Sequence, residues 1–220
     1  MKSKTRDPKE VYERLTASRA QSFEEFYAIY VDSIVERERK TKPQIREIVK
    51  RSEYKVLLAK RGKTVLGFSI LFAPKAESFC LLEYMAVASA FRNQGIGARV
   101  FRHSMKMVRD EHQNTPVLLE VDSDRENSPD RLTRRRRLDF YRRLGCAQVA
   151  RLHYLMPLPG EGSPPEMDLL IYSFDPLPGV SKVQVELWLK AIYQEVYGCA
   201  AEDPRIDLML RRLTDPVRFV

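Results

Sequence analysis

The sequence predicts a mixed α/β (α+β) fold: a central twisted sheet, mixed and mostly antiparallel, flanked by helices and followed by a C-terminal helical extension. Three observations lead there. Three strand-like runs, 54–60, 64–72 and 79–87, succeed one another through short turns, and such sequential strands pair antiparallel. The third run passes through a turn and two glycines into a long amphipathic stretch, the order of strand, tight loop and helix. Beyond it, strand-like and helix-like runs alternate as far as residue 174.

Element by element, residues 1–20 are polar and charged and read as a frayed start or a short helix. Phe23, Phe26, Tyr27, Tyr30 and Ile34 then recur on one helical face. Ser22 is placed to cap that helix, and Glu25 to complete a capping box. Its aromatic stripe reads first as core and second as cleft lining. A further helix follows Pro43, with Ile45, Ile48 and Val49 inward. The meander comes next, turning at Arg61-Gly62-Lys63 and at Pro74. The helix after the glycines reaches Glu111 on an inward stripe of Gly97, Val100, Phe101, Ser104, Met105 and Val108. Residues 116–122 form a short apolar strand and 123–131 a polar loop. A helix over 132–144 is closed by Gly145. Residues 147–156 read as a strand, 157–165 as a Pro/Gly connector, and 167–174 as the last strand. After Pro176-Leu177-Pro178-Gly179, the residues Val183, Leu187, Trp188, Ala191, Ile192 and Val196 make an amphipathic helix. This reading divides the chain into a domain at 1–174 and a helical extension at 175–220. The extension packs on the core or on a second subunit, as in a homodimer.

Composition narrows the class. At 44% hydrophobic and 31% charged residues, the 220-residue chain is that of a globular protein able to bury a sizeable core. No apolar run approaches the roughly 18–20 residues of a membrane span. No apolar signal core follows the basic start Met1-Lys2-Ser3-Lys4, so a cytoplasmic location is the expectation. Cys80, Cys146 and Cys199 are widely spaced and form neither a disulfide framework nor a metal pattern. His103, His112 and His153 lack ligand spacing, and no metal site is expected. The net charge of +8 is partly local: residues 125–143 hold eight arginines against three acidic residues. Such a balance suits an anionic small molecule or, alternatively, nucleic acid or an acidic protein.

The segment Leu81-Leu82-Glu83-Tyr84-Met85-Ala86-Val87 leading to Arg92-Asn93-Gln94-Gly95-Ile96-Gly97 is the most specific. A strand, a glycine turn and a helix start aim several backbone N–H groups at one anion. A P-loop would need Lys-Ser/Thr after its last glycine, and a dinucleotide fingerprint would need a third glycine where Val100 stands. What remains, Arg92-x-x-Gly95-x-Gly97, resembles the pyrophosphate-binding signature of the GNAT superfamily of N-acetyltransferases. The run Phe140-Tyr141-Arg142-Arg143-Leu144-Gly145-Cys146 is similar to that family's Phe-Tyr-x-x-x-Gly-Phe, with Cys146 where an aromatic residue is usual. The layout over roughly 22–174 is similar as well. The resemblance implies a sheet splayed between the family's strands 4 and 5, here the runs 79–87 and 116–122. It implies acetyl-CoA as cosubstrate, with its pyrophosphate held at Arg92, Asn93, Gln94, Gly95, Ile96, Gly97 and Ala98. The backbone of Met85, Ala86 and Val87 would pair with the pantetheine arm and polarise the thioester carbonyl.

Two further needs of acetyl transfer to an amine point to side chains. An alkyl amine of pKa about 10.4 is almost wholly protonated at neutral pH, so a carboxylate, or a water held by one, must take its proton. Glu83 shares a strand face with Met85, while Glu120 and Asp122 share a face of the next strand. Either strand could aim a carboxylate into the cleft; the resemblance makes Glu83 the first choice of base and Glu120 the second. By the resemblance, Tyr141 lies by the coenzyme sulfur and is the acid. Asn127 is similar to a cofactor-contacting asparagine but stands farther from Tyr141 than the family spacing. The run Arg134–Arg137 reads as a solvated helix face, as phosphate contacts, or as a surface for an acidic partner. The leading function is thus acetyl-CoA-dependent N-acetyl transfer to the primary amine of a small molecule or peptide. The alternatives are a coenzyme A-binding sensor without catalysis and a basic nucleic-acid- or acidic-protein-binding module.

Overall fold

The computed structural model describes residues 9–113, 115–125, 127–158 and 166–220. The expected start at 1–8 and most of the 157–165 connector lie outside them. The chain forms two compact units, residues 1–71 with 84–107 and residues 72–83 with 108–220.

In the first unit the strands run in the order β1 (Glu10–Arg14), β2 (Tyr54–Arg61), β3 (Thr64–Phe72) and the second half of β4 (Cys80–Val87). The edge strand β1 corrects the reading of residues 1–20 as a frayed start or a helix. It pairs antiparallel with β2, from Glu10 opposite Arg61 to Arg14 opposite Leu57. Ion pairs hold it: Glu10 with Arg99 at 2.9 Å and Glu13 with Lys60 at 3.1 Å. Tyr12 also stacks on His103, ring centroids 3.5 Å apart. Charge complementarity across elements, not apolar alternation, makes this strand.

Helix α1 (Ala20–Ser33) buries Phe23, Phe26, Ile29 and Tyr30. Ser22 does not cap it. The helix starts two residues earlier, so Ser22 lies inside and accepts from Lys60 Nζ at 3.0 Å. Glu25 accepts instead from the Val65 N–H at 2.9 Å. Helix α2 (Lys42–Lys50) has a full capping box, Thr41 with Gln44, and a proline in its first turn. Phe68 of β3 meets Phe26 of α1 edge-on at 4.8 Å, and its neighbour Ser69 bonds Ser104 of α3 (Ile96–His112) at 2.6 Å. Successive strand residues point to opposite faces, so α1 and α3 sandwich the sheet.

In the second unit, β4 begins parallel to β5 (Val117–Asp122), with Cys80 opposite Val117 and Leu81 opposite Leu118. The register reaches no further. β5 pairs antiparallel with β8 (Glu166–Tyr172) along its whole length. β6 (Ala147–Gln148) and β7 (Tyr154–Leu155) also pair with β8. The single strand expected over 147–156 is therefore two short ones, separated by a turn in which Arg151 takes φ 63°. Helix α4 (Arg131–Arg143) ends at Gly145, φ 95°. Helix α5 (Lys182–Ala191) continues as a π-helical turn (Ile192–Val196), and α6 (Pro204–Leu210) follows, capped by Asp203. Trp188 of α5 is buried with its ring 6.3 Å from Phe79. The chain end pairs with β6 through Val220 N–H to Gln148 O at 2.9 Å. Among the described residues no helix is long and apolar enough to cross a membrane.

Candidate active site

The glycine loop belongs to the first unit. Asn93 and Gly95 both take positive φ, 62° and 72°, and α3 begins at Ile96. The first helical hydrogen bond runs from Arg99 N to Gly95 O at 3.3 Å. The N–H groups of Ile96, Gly97 and Ala98 thus precede the helical ladder, at the positive end of a 17-residue helix. This is a cradle for an anion, and its donors fit a phosphate group. A Cβ on Gly95 would stand 3.1 Å from Arg99 Nη1 as well as being strained by its φ. Arg99 is what fixes the loop. It donates to Gln94 O at 3.1 Å and grips Glu10 of β1 through Nε and Nη2, each at 2.9 Å. Arg92 is turned toward Val87 O at 3.2 Å, Ser33 Oγ at 3.4 Å and Asp32 at 3.6 Å. It buttresses the end of β4 as well as flanking the loop.

Met85 and Val87 pack against a cluster of Ala59, Leu66, Ile96 and Val100. Their side chains are anchored on the α3 face, while their neighbour Tyr84 turns the other way to Tyr30, ring centroids 5.1 Å apart. The Tyr84 hydroxyl donates to Glu38 O at 2.9 Å. At Gly67 a Cβ would meet Ala86 O at 2.7 Å, so only glycine lets β3 lie this close to the end of β4. The three residues expected to meet the pantetheine arm therefore stand on a strand braced from both faces and one edge.

In the second unit the carboxylates are found with tyrosines. Glu120 of β5 is half-buried and accepts from two hydroxyls, Tyr154 of β7 on one oxygen and Tyr197 on the other, the latter at 2.7 Å. Burial and the Glu120 charge hold both tyrosines well above the usual phenol range, so both hydroxyls keep their protons and donate. The charge of Glu83, half-buried on β4, acts on Tyr197 in the same direction. The charges of Glu83 and Glu120, the two candidates for base, thus both act on Tyr197. Tyr193, one turn before Tyr197, donates to Leu155 O and is pushed up by burial. Sequence reasoning passed over Tyr154, Tyr193 and Tyr197. The spacing of the last two along one helix face was the only signal, and it reads equally as core.

Tyr141 is buried on α4 beside Phe140, with ring centroids 5.1 Å apart. Burial raises it to about 12, with Arg137 pulling down and Cys146 pushing up. The Cys146 thiol is itself pushed up to about 12 by burial, which keeps it protonated and unsuited to act as a nucleophile. Asp122 is held by Arg137. Part of the arginine cluster around α4 is bonded to the loop before it and to the strands β5 and β8. Arg131 binds Asp124 O at 2.9 Å, Arg134 binds Ser123 O at 3.3 Å, and Arg125 pairs with buried Asp168 and binds Met167 O at 3.0 Å. Arg135, Arg136 and Arg143 are exposed, as is Asn127. Among the described residues no group of His, Cys, Asp and Glu could hold a metal ion.

The first unit thus carries an anion cradle at a helix N-terminus with a braced strand before it, and the second unit carries carboxylates bonded to phenols. The profile of the acetyltransferase (GNAT) family matches residues 20–146, and the chain belongs to that family. Acetyl-CoA-dependent acetyl transfer is the family's general activity. Among solved structures, a GNAT-family protein from Bacteroides thetaiotaomicron is similar at 22% identity and TM-score 0.70, covering 86% of this chain and 99% of that one. The ribosomal-protein-S18-alanine N-acetyltransferase from Escherichia coli is similar at 13% identity and TM-score 0.54, covering 77% and 96%. An aminoglycoside 6'-N-acetyltransferase solved with coenzyme A is similar at 16% identity and TM-score 0.58, covering 76% and 99%. At these identities the likeness is one of fold. No curated protein matches the chain.

Proposed function

We propose that this chain transfers the acetyl group of acetyl-CoA to a primary amine of a small molecule or peptide. One observation carries the reading: Asn93 and Gly95 in the left-handed region set the first N–H groups of α3 as an anion cradle, inside the segment that matches the family. Acetyl-CoA supplies an activated acyl thioester. The chain supplies the rest. Residues 92–98 hold the pyrophosphate through Arg92, Asn93, Gln94 and the N–H groups of Gly95, Ile96, Gly97 and Ala98. The backbone of Met85, Ala86 and Val87 holds the arm, and an N–H there that faces the thioester carbonyl lowers the barrier by about 2.7–4 kcal/mol.

Glu83 takes the proton of the acceptor's ammonium, directly or through a water. Tyr141 serves the leaving sulfur, and its pKa decides how. A phenol raised to about 12 lies about 3.5 units above a thiol of about 8.5, so complete transfer of its proton would be uphill by roughly 5 kcal/mol. Tyr141 therefore donates a hydrogen bond to the developing thiolate, and the amine's own proton neutralises it in the end.

In this reading residues 1–174 form the acetyltransferase domain and 175–220 a helical extension of it. The basic-module alternative loses ground, because Arg125, Arg131, Arg134 and Arg137 are bonded within the fold. Acetyl-CoA at 100 times its Kd adds about 2.7 kcal/mol of stability. For a domain of this size that is a rise in Tm of about 5–11 °C. No rise at millimolar acetyl-CoA would sink the proposal.

A further inference from the structure

Glu10 lies on β1, outside the segment 20–146 that matches the family, yet it reaches the glycine loop through one side chain. Arg99 points its N–H groups in two directions. Nε and Nη2 grip the two oxygens of Glu10, each at 2.9 Å, and Nη1 donates to Gln94 O at 3.1 Å. All three residues belong to the first unit. We propose that Glu10 is a positioning residue for coenzyme A: by holding Arg99 on the Gln94 carbonyl, it presets the Gly95 N–H as a donor to the pyrophosphate. The inference rests on the reading of residues 92–98 as the coenzyme cradle and names what keeps that cradle in shape.

The peptide between Gln94 and Gly95 is planar and trans, so its C=O and N–H point in opposite directions. A donor fixed on the Gln94 oxygen from one side therefore aims the Gly95 N–H to the other. This stretch needs holding. Asn93 stands at φ 62°, a conformation that a residue with a Cβ keeps only when its surroundings impose it. Arg99 does not stay in place unaided. It is the fourth residue of α3, where the helix end is positive and disfavours a cation. Without a counter-charge its guanidinium would turn to solvent and release the carbonyl. Glu10 supplies that charge, and the guanidinium fork matches both carboxylate oxygens at once. The Arg99 hydrogen bond in turn holds the Glu10 carboxyl below the usual carboxylate range, with the Tyr12 hydroxyl donating to it and Arg61 at 3.9 Å. Glu10 is thus ionised throughout the neutral range. A second carboxylate of the same strand, Glu13, pairs with Lys60 at 3.1 Å and not with Arg99, which makes it the natural control.

The test uses the full chain, with coenzyme A titrated by calorimetry and Gln94 and Gly95 followed by NMR after 13C and 15N labelling. Glu10→Gln keeps the size of the side chain and removes its charge. It is expected to move the Gln94 carbonyl and Gly95 amide resonances before any coenzyme is added. It is also expected to weaken coenzyme A binding about three- to ten-fold, the range of one hydrogen bond. Glu13→Gln breaks an ion pair of the same strand and should lower Tm while leaving coenzyme affinity and both resonances unchanged. On an Arg99→Met background, Glu10→Gln should weaken binding no further, since its effect passes through Arg99. If Glu10→Gln does not fold, Arg99→Met alone should show the same resonance shifts and the same loss of affinity. Full coenzyme affinity in Glu10→Gln, an equal loss in Glu13→Gln, or an added loss on the Arg99→Met background overturns the proposal. A wild type that binds no coenzyme A removes the coenzyme reading itself, whereas the resonances of the free chain still tell whether Glu10 sets this peptide; unmoved, they overturn that too.

Discussion

Tyr141 and Glu83 carry the proposed chemistry, and each predicts a separable result. Tyr141→Phe keeps the ring and its contact with Phe140 and removes only the hydroxyl. Turnover is expected to fall about 10–100-fold while the acetyl-CoA-induced rise in Tm is unchanged; unchanged turnover would remove Tyr141 from the reaction. Because burial holds Tyr141 at about 12, its titration should add no falling limb to the rate below pH 10. Glu83→Gln is expected to lower kcat by about 100-fold or more, the range of a lost general base. Should Glu120→Gln lower kcat that far and Glu83→Gln not, the base is Glu120. The sequence made both glutamates visible through strand alternation. It could not show the two tyrosines on Glu120, because that contact joins residues 34 and 77 positions apart.

At the scale of elements, the glycine loop is a strand end, a turn and a helix start clamped by one arginine. Gly95→Ala places a Cβ at φ 72° and 3.1 Å from Arg99. The strain is about 1–2 kcal/mol, which lowers Tm by about 2–8 °C in a domain of this size. The same change should weaken acetyl-CoA binding; full affinity in calorimetry would mean that the cradle is not the phosphate site. This loop was the most legible element of the sequence, since two spaced glycines after a strand leave few backbone solutions. Its support was not legible. Arg99 reads as one more polar helix residue until β1 is known, and β1 itself shows no apolar alternation from Glu10 to Arg14. The α1 cap misled for a related reason: Ser22 and Glu25 have capping spacing, but bonds from Lys60 and Val65 claim both.

For the whole molecule, buried phenols predict how stability depends on pH. Tyr141 is raised to about 12, and Tyr154, Tyr193 and Tyr197 are raised as well. The unfolded chain ionises its tyrosines near pH 10, so above that pH the folded state binds more protons. Stability is full below pH 10 and is lost as pH rises toward 12. Tm should therefore fall steeply above pH 10, and phenolate absorbance should appear together with unfolding. Early phenolate absorbance with an unchanged Tm would contradict the burial of these groups. The order of the elements was readable from the sequence because turns and periodicity are local signals. The C-terminal segment was less so: its first helix showed, but the π turn, α6 and the pairing of Val220 with Gln148 depend on distant partners.

The central claim is acetyl transfer to an amine, and release of coenzyme A thiol tests it directly. The full chain is mixed with acetyl-CoA and a panel of primary amines spanning aminoglycosides, polyamines, amino acids and peptides. The account predicts thiol release that requires an amine, saturates with it, and falls at least ten-fold in Tyr141→Phe. Tight acetyl-CoA binding with no amine-dependent release from any class would contradict it and leave a coenzyme A-binding sensor.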